Sequence, residues 1–166
     1  MHIVKVNNEN LHIYLNLAQA YEGEFSKIMN KKPNQNGIFP LDTQLGGNVC
    51  GYLLYVDGTP AGHTAIAINK PAQYEVCDFY IVPFFRQARL GQRFIVEMFN
   101  KFRGHWQIKQ VEGASHAVRF WREVIGSYTS GHYTEDVYLD PHWGLVTRQQ
   151  FDNAESDGIK RQERGR

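Results

Sequence analysis

Two groups of residues in this chain of 166 residues have the types and spacing to do chemistry. The first is the run Phe84-Phe85-Arg86-Gln87-Ala88-Arg89-Leu90-Gly91, followed at once by Gln92 and Arg93. It joins a β-branched and aromatic stretch (Val76, Phe79, Tyr80, Ile81, Val82) to one in which Phe94, Ile95, Met98, Phe99 and Phe102 recur at helical spacing. A strand that turns directly into a helix points unpaired backbone N–H groups and the positive end of the helix dipole at one spot. Such a spot binds anions, phosphate above all, and Arg86, Arg89 and Arg93 add charge to it. The second group is Glu75 and Asp78, on the strand that leads into the turn. A carboxylate in a cleft can accept a proton from a substrate once its surroundings raise its pKa. Three positions apart on a strand, the two are expected on opposite faces.

Other chemistries have less support. Cys77, next to Asp78, has no basic neighbour in local sequence and is expected to be a buried structural thiol. The seven histidines show no metal-ligand spacing, so no metal is expected. Among them His116 stands just before the apolar helical pattern that begins at Ala117. A net charge of +1 creates no field that would draw nucleic acid or an anionic membrane. No apolar window of about 18 residues exists to span a bilayer, and the first residues lack the apolar core of a signal peptide. The two cysteines have no paired spacing, so a reduced, cytoplasmic setting is expected.

The elements that must position these groups follow from periodicity. His2–Val6 reads as a short strand. From Leu11 to about Asn30, Leu11, Tyr14, Leu17, Ala18, Tyr21, Phe25 and Ile28 recur every three or four positions, as in an amphipathic helix. Residues 31–48 carry Pro33, Gly37, Pro40, Gly46 and Gly47 and read as a long loop, of the kind that often forms a substrate lid or wall. Val49–Val56 and Ala61–Ile68 are strands about the hairpin signal Asp57-Gly58. The central strand, the turn and the Phe94–Phe102 helix come next, with Gly104 as its stop. Trp106–Glu112 alternates as a strand, which completes a right-handed parallel βαβ unit. A helix over Ala117–Ile125, stopped near Gly126, and a strand over His132–Leu139 follow. From about Thr147 the pattern fades into a polar tail ending KRQERGR.

This order of elements, with an Arg-rich turn inside the βαβ unit, resembles the GNAT acyl-CoA acyltransferases. Their turn has the pattern (R/Q)-x-x-G-x-(G/A), and here Arg86 and Gly91 fill its first and last positions, while Arg89 stands where the middle Gly would be. The chain is further similar to a branch of small bacterial predicted N-acetyltransferases. It shares, in order, Asp78-Phe79-Tyr80-Ile81-Val82, Arg86, Gly91, Met98-Phe99, Phe102-Arg103-Gly104, Trp106, Gln110, Ala117, Phe120-Trp121, Val124-Ile125, Tyr128-Thr129, Gly131, Tyr133 and Glu135. Ala114 stands where that branch has Asn.

The resemblance implies an α/β GNAT fold, a mixed twisted sheet of about six or seven strands flanked by helices. It would occupy residues 1–143, with 144–166 as the polar tail. It implies an N-acetyltransferase moving an acetyl group from acetyl-CoA, a co-substrate, to a primary amine of a small molecule or peptide by direct attack in a ternary complex. The expected cofactor-binding residues are Ile81, Val82, Arg86, Gln87, Ala88, Arg89, Leu90, Gly91, Gln92, Arg93, Ala117 and Trp121. A free backbone N–H near Ile81 or Val82 is the expected oxyanion donor. Asp78 is the first choice of general base and Glu75 the second. Many members carry a tyrosine acid where this chain has Phe120-Trp121, so Tyr128 is the expected substitute, with Tyr133 beside it. The implied partners are the amine acceptor alone, with neither nucleic acid nor membrane, and the protein is expected as a monomer or homodimer. The second reading is a catalytically weak or inactive acyl-CoA-binding module of the same fold, suggested by Arg89, Ala114 and the missing tyrosine.

Overall fold

The computed structural model describes residues 1–154. In chain order it contains β1 (His2–Lys5), α1 (Leu11–Phe25), β2 (Val49–Val56), β3 (Thr59–Lys70), β4 (Gln73–Ile81), a 3₁₀ turn (Pro83–Phe85), α2 (Leu90–Lys101), β5 (His105–Val111), α3 (Ser115–Tyr128), β6 (Thr134–Asp140) and β7 (Gly144–Asp152). The seven strands form one sheet in the order β1-β2-β3-β4-β5-β7-β6. Only β4 and β5 run parallel; the other neighbours are antiparallel. The mixed sheet flanked by helices agrees with the expected fold class.

Helices cover both faces. Under α2 and α3 lies the larger core, which includes Phe94, Ile95, Phe99, Trp106, Trp121, Ile125 and Phe151. Under α1 lies a smaller cluster of Tyr14, Ala18, Leu53 and Ala65. The helical spacing that predicts α2 is the spacing of its buried face: Phe94, Ile95, Met98 and Phe99 are all inside.

Several boundaries differ from the sequence reading. Helix α1 ends at Phe25 rather than near Asn30, because Ser26 turns back on Gly23, its Oγ donating to the Gly23 carbonyl at 2.7 Å. Helix α3 runs through Gly126 to Tyr128. Its stop is Ser130-Gly131, both at positive φ, where the Gly131 amide donates back to the Gly126 carbonyl at 2.8 Å. The largest correction is that residues 144–152, expected in a polar tail, form β7 inside the sheet. Its inward positions hide the apolar alternation because one of them, Gln149, is a fully buried amide. That amide accepts from Gln110 of β5 at 2.9 Å and donates to Glu135 of β6 at 3.0 Å. Of the tail reading, residues 155–166 lie outside the described residues.

The return from α2 to β5 is fixed by contact with the end of β7. Gly104 has φ +149°, and its amide donates to Asn153 Oδ1 at 2.7 Å, while Asn153 Nδ2 donates to the Phe99 carbonyl at 2.7 Å. A Cβ on residue 104 would lie 2.2 Å from the Ala72 carbonyl oxygen. Gly104→Ala is therefore expected to destabilise the protein by roughly 3 kcal/mol or more, adding overpacking to backbone strain. The urea midpoint measures this, and a midpoint at the wild-type value would refute it.

Candidate active-site cleft

The cleft begins where two parallel strands part. β4 pairs with β5 only over Gln73–Val76 and His105–Ile108. Beyond that, β5 continues with β7 as far as Val111 and β4 stays with β3 as far as Ile81. The parting coincides with a bulge. Ala65 pairs with Asp78 and the next residue, Ile66, with Val76, so Cys77 is an extra residue on β4. A bulge bends its strand and increases local twist.

The bulge also resets which side chains share a face. Tyr74, Val76, Phe79 and Ile81 pack on the α2/α3 core, whereas Cys77 packs on the α1 cluster. Asp78 faces α1 as well and meets Tyr14 there. Glu75 lies on that same face, against Gln107 (2.6 Å) and Lys109 (3.0 Å) of β5. The expected opposite orientation of the two carboxylates is thus wrong: simple alternation fails across an unpaired residue.

The turn after β4 is built by two arginines with different tasks. Arg86 Nε donates to the Ile81 carbonyl at 2.8 Å, and its terminal nitrogen pairs with Glu24 at 2.5 Å. Its guanidinium carbon lies 5.5 Å from the centre of the Tyr80 ring. Arg86 therefore latches the turn to β4 and to α1. Ala88 and Arg89 both take positive φ (51° and 54°), and Arg89 is the N-cap of α2. The amides of Gly91 and Gln92 precede the first helical bond, Arg93 N–H to the Arg89 carbonyl at 2.9 Å. At Gly91 a Cβ would lie 3.3 Å from Ile81 Cγ1, so the helix start sits hard against β4. The Val82 amide donates to the Ala61 carbonyl at 2.9 Å, which removes Val82 as an oxyanion donor. By strand alternation the Ile81 amide points the other way, toward the parting, the side on which Arg86 reaches its carbonyl.

Together these elements enclose a cleft of about 620 Å³. Ile81, Arg86, Gln87, Arg89, Leu90, Gly91, Gln92, Ala117 and Trp121 line it, whereas Val82, Ala88 and Arg93 do not. Glu75, Asp78 and His116 line it too. Phe79 stacks on Phe120 at 5.5 Å and meets the edge of Trp121 at 5.3 Å, an aromatic wall on the α3 side. Tyr128 is not in the cleft. Its hydroxyl lies 3.1 Å from both Asn100 and Asn153, and its ring packs on Phe99 and Phe151. Two helical turns past Trp121, it sits at the wrong end of α3 to serve as an acid.

Asp78 is the distinctive group. Its side chain is almost fully buried, accepting from Thr43 Oγ1 at 2.8 Å and from the Tyr14 hydroxyl at 3.4 Å. Burial pushes its carboxyl up to about 6; the Thr43 and Tyr14 hydrogen bonds pull it back, and the charges of Glu22 and Asp42 add to the rise. Burial likewise pushes the neighbouring Cys77 thiol up to about 12, which keeps it from acting as a thiolate. Tyr14, Thr43, Glu22 and Asp42 escaped the sequence reading, although the loop over 31–48 was expected as a wall. That loop is pinned by Lys31, which pairs with Glu22 at 2.6 Å and Asp42 at 2.5 Å. Nothing in local sequence pairs these residues; only the folded loop does. Among the described residues no group of His, Cys, Asp and Glu could hold a metal, and no helix is long and apolar enough to cross a membrane.

No protein-family model and no curated protein matches the chain. Solved structures do. A protein from Bacteroides thetaiotaomicron assigned to the GNAT acetyltransferases aligns with TM-score 0.60 at 12% identity, over 99% of this chain and 95% of that one. The fold is the GNAT fold. The ribosomal-protein-S18-alanine N-acetyltransferase of Escherichia coli aligns over 92% of this chain and 94% of its own, with TM-score 0.60 at 10% identity. The PaiA N-acetyltransferase of Thermoplasma acidophilum, solved in complex with coenzyme A, aligns over 91% and 100%, with TM-score 0.57 at 11% identity. The sequence resemblance to GNAT proteins is thus borne out in the fold.

The Asp78 environment of this GNAT-fold chain has a consequence for stability. Its folded-state pKa, about 6, lies above the ordinary value of 3.8. Its contribution is therefore full below about pH 4 and lost as pH rises through about 6. Asp78→Asn is expected to stabilise the protein at pH 8 by up to about 3 kcal/mol and to leave it near wild type at pH 3.5. Chemical denaturation at both pH values tests this; a gain of the same size at each would refute it.

Proposed function

We propose that the protein is an acetyl-CoA-dependent N-acetyltransferase acting on a primary amine of a small molecule or peptide, by direct attack in a ternary complex. The observation that carries this reading is Asp78, a buried carboxylate with a pKa near 6 on the wall of the cleft where β4 leaves β5. It lies three residues before the outward-facing Ile81 amide. The GNAT fold supports the reading, and the neighbouring structures named as N-acetyltransferases agree with it.

Acetyl-CoA supplies a thioester carbonyl and a thiolate leaving group. The turn fits its anionic end: Arg89, Gly91 and Gln92 border the cleft at the start of α2, where helix amides are unpaired. Arg89 makes no hydrogen bond or ion pair with its side chain among the described residues, so it rather than Arg86 is assigned to the phosphates. The apolar wall of Phe79, Phe120 and Trp121 suits the pantetheine chain. An acceptor amine arrives as an ammonium, and Asp78, ionised above about pH 6, takes its proton. The amine nitrogen bonds to the acetyl carbon and the carbon–sulfur bond breaks; the second nitrogen proton passes through solvent to the departing thiolate, and Asp78 returns the first to solvent, so the products are the amide, CoA thiol and a proton. The Ile81 amide is the donor assigned to the carbonyl oxygen as charge grows on it. No side-chain acid is assigned, because a thiolate leaves readily with its ordinary pKa of about 8.5. Glu75, ion-paired to Lys109, is assigned to holding the floor of the cleft, not to proton transfer.

CoA release measured with acetyl-CoA and a panel of amines tests the reading. Asp78→Asn is expected to lower kcat by about 10²-fold or more with KM for acetyl-CoA unchanged, and wild-type kcat to rise with pH through about 6. Arg89→Ala is expected to weaken acetyl-CoA binding about tenfold in calorimetry, while Arg86→Ala acts chiefly by lowering Tm. Acetyl-CoA binding without turnover on any amine would instead favour the non-catalytic acyl-CoA-binding module, which the Arg89 side chain at the glycine position of the turn suggests.

A further inference from the structure

Behind Asp78 lies a residue that the proposed chemistry leaves unused. His63, on β3, is completely buried, and neither of its ring nitrogens has a hydrogen-bond partner among the described residues. A neutral imidazole carries one N–H and one lone pair, so both of its polar functions go unmet. Burial holds it neutral, with a pKa near 3, at any working pH. An apolar residue of similar shape would fill the site without that desolvation cost. The sheet therefore gives up stability at this position, and what the imidazole touches indicates the return.

It touches three tyrosines. Tyr14 stands at 4.8 Å between ring centres and 75° to the imidazole, Tyr21 at 5.9 Å and 89°, and Tyr80 at 5.8 Å and 42°. The near-perpendicular pairs are the geometry in which an N–H meets a π face or a ring edge meets the imidazole. Tyr14 and Tyr21 come from α1 and Tyr80 from β4, while β2 presents the apolar Leu53 opposite His63. Tyr14 is the tyrosine whose hydroxyl donates to Asp78. In the register of β3 and β4, His63 pairs with Tyr80 and Ala65 with Asp78, so Asp78 is the diagonal neighbour of His63 on the α1 face. The Tyr14–Asp78 bond is long, at 3.4 Å, and its length depends on where the Tyr14 ring is held.

We propose that His63 is a positioning residue for Asp78, acting through Tyr14: the imidazole fixes the Tyr14 ring so that its hydroxyl stays on the carboxylate that accepts the substrate proton. The inference rests on Asp78 being the base, but its first test needs no turnover. The Tyr14 hydrogen bond favours the ionised carboxylate, so losing it must raise the Asp78 pKa.

Carboxyl NMR titration of Asp78 in wild type, His63→Phe, Tyr14→Phe and the double variant reads the coupling directly. His63→Phe is expected to keep or raise Tm and to move the Asp78 midpoint up by about half a unit or more. In the Tyr14→Phe background the same substitution is expected to move it no further, because the route has been removed. If the wild type acetylates an amine, His63→Phe should also lower kcat roughly tenfold and shift the pH profile upward, with KM for acetyl-CoA unchanged. Where His63→Phe does not fold, His63→Leu takes its place with the same expectations. An Asp78 midpoint at the wild-type value in the histidine variant, or an equal shift with and without the Tyr14 hydroxyl, would overturn the proposal. Absence of acetyl transfer by the wild type with the NMR coupling intact would overturn the enzymatic reading alone.

Discussion

Cys77 is the one residue of β4 left out of register with β3, and the cleft depends on it. Without the bulge, strict alternation would turn Asp78 toward the aromatic core under α3 and send Phe79 toward Tyr14. A carboxylate would then be buried among rings with nothing to bond, and the wall formed by Phe79, Phe120 and Trp121 would be broken. With the bulge, Asp78 joins the polar contacts of α1 and the 31–48 loop while Phe79 and Ile81 stay with the apolar core. Thr64 ties this arrangement down by donating to the Asp78 carbonyl at 2.7 Å. The same irregularity carries β4 away from β5, so one extra residue both opens the cleft and selects what faces into it.

Glu75 and Asp78 show how surroundings divide the work of two like groups. They share a strand and a face. Glu75 meets Lys109 and Gln107, which satisfy its charge in place. Asp78 meets two neutral hydroxyls and the field of Glu22 and Asp42, with no cation against it among the described residues. The Lys31 ammonium that balances Glu22 and Asp42 is committed to them and to the Pro40 carbonyl, so it pins the loop rather than neutralising Asp78. A carboxylate held in this way can give up its charge near neutrality, and proton exchange at working pH requires that property. The same negative surroundings raise the Tyr21 hydroxyl well above its ordinary range, after burial, and so keep it a hydrogen-bond donor.

Much of this was legible in the chain itself, for definable reasons. The α2 face, the β2–β3 hairpin and the parallel β4–β5 pair follow from side-chain period and turn chemistry, which are local. β7 was not legible because one of its inward positions is Gln149, whose burial is offset by an amide partner on β5 and a carboxylate partner on β6. The position of Asp78 was legible but its orientation was not, since a bulge leaves no mark that distinguishes Cys77 from any other strand residue. Tyr14 and Thr43 reach Asp78 across 64 and 35 positions of sequence, His63 meets Tyr14 from a different element, and no spacing rule reaches that far.

The turn before α2 makes the same point in the opposite direction. By sequence pattern Arg86 is the expected phosphate ligand and Arg89 the anomaly. In the fold, Arg86 satisfies a strand carbonyl and an α1 carboxylate, contacts that shape the turn whether or not an anion is present. Arg89 accepts a left-handed backbone conformation, disfavoured for a residue with a side chain, and in return places a guanidinium where a glycine would offer only an amide. The positive φ that a glycine would adopt freely is present at Arg89, so the turn keeps a left-handed residue there and adds a side chain that a glycine would lack. Arg86 holds the turn through Ile81 and Glu24, while the Arg89 side chain has no hydrogen bond or ion pair among the described residues, so substitutions at the two positions are expected to fail in different ways.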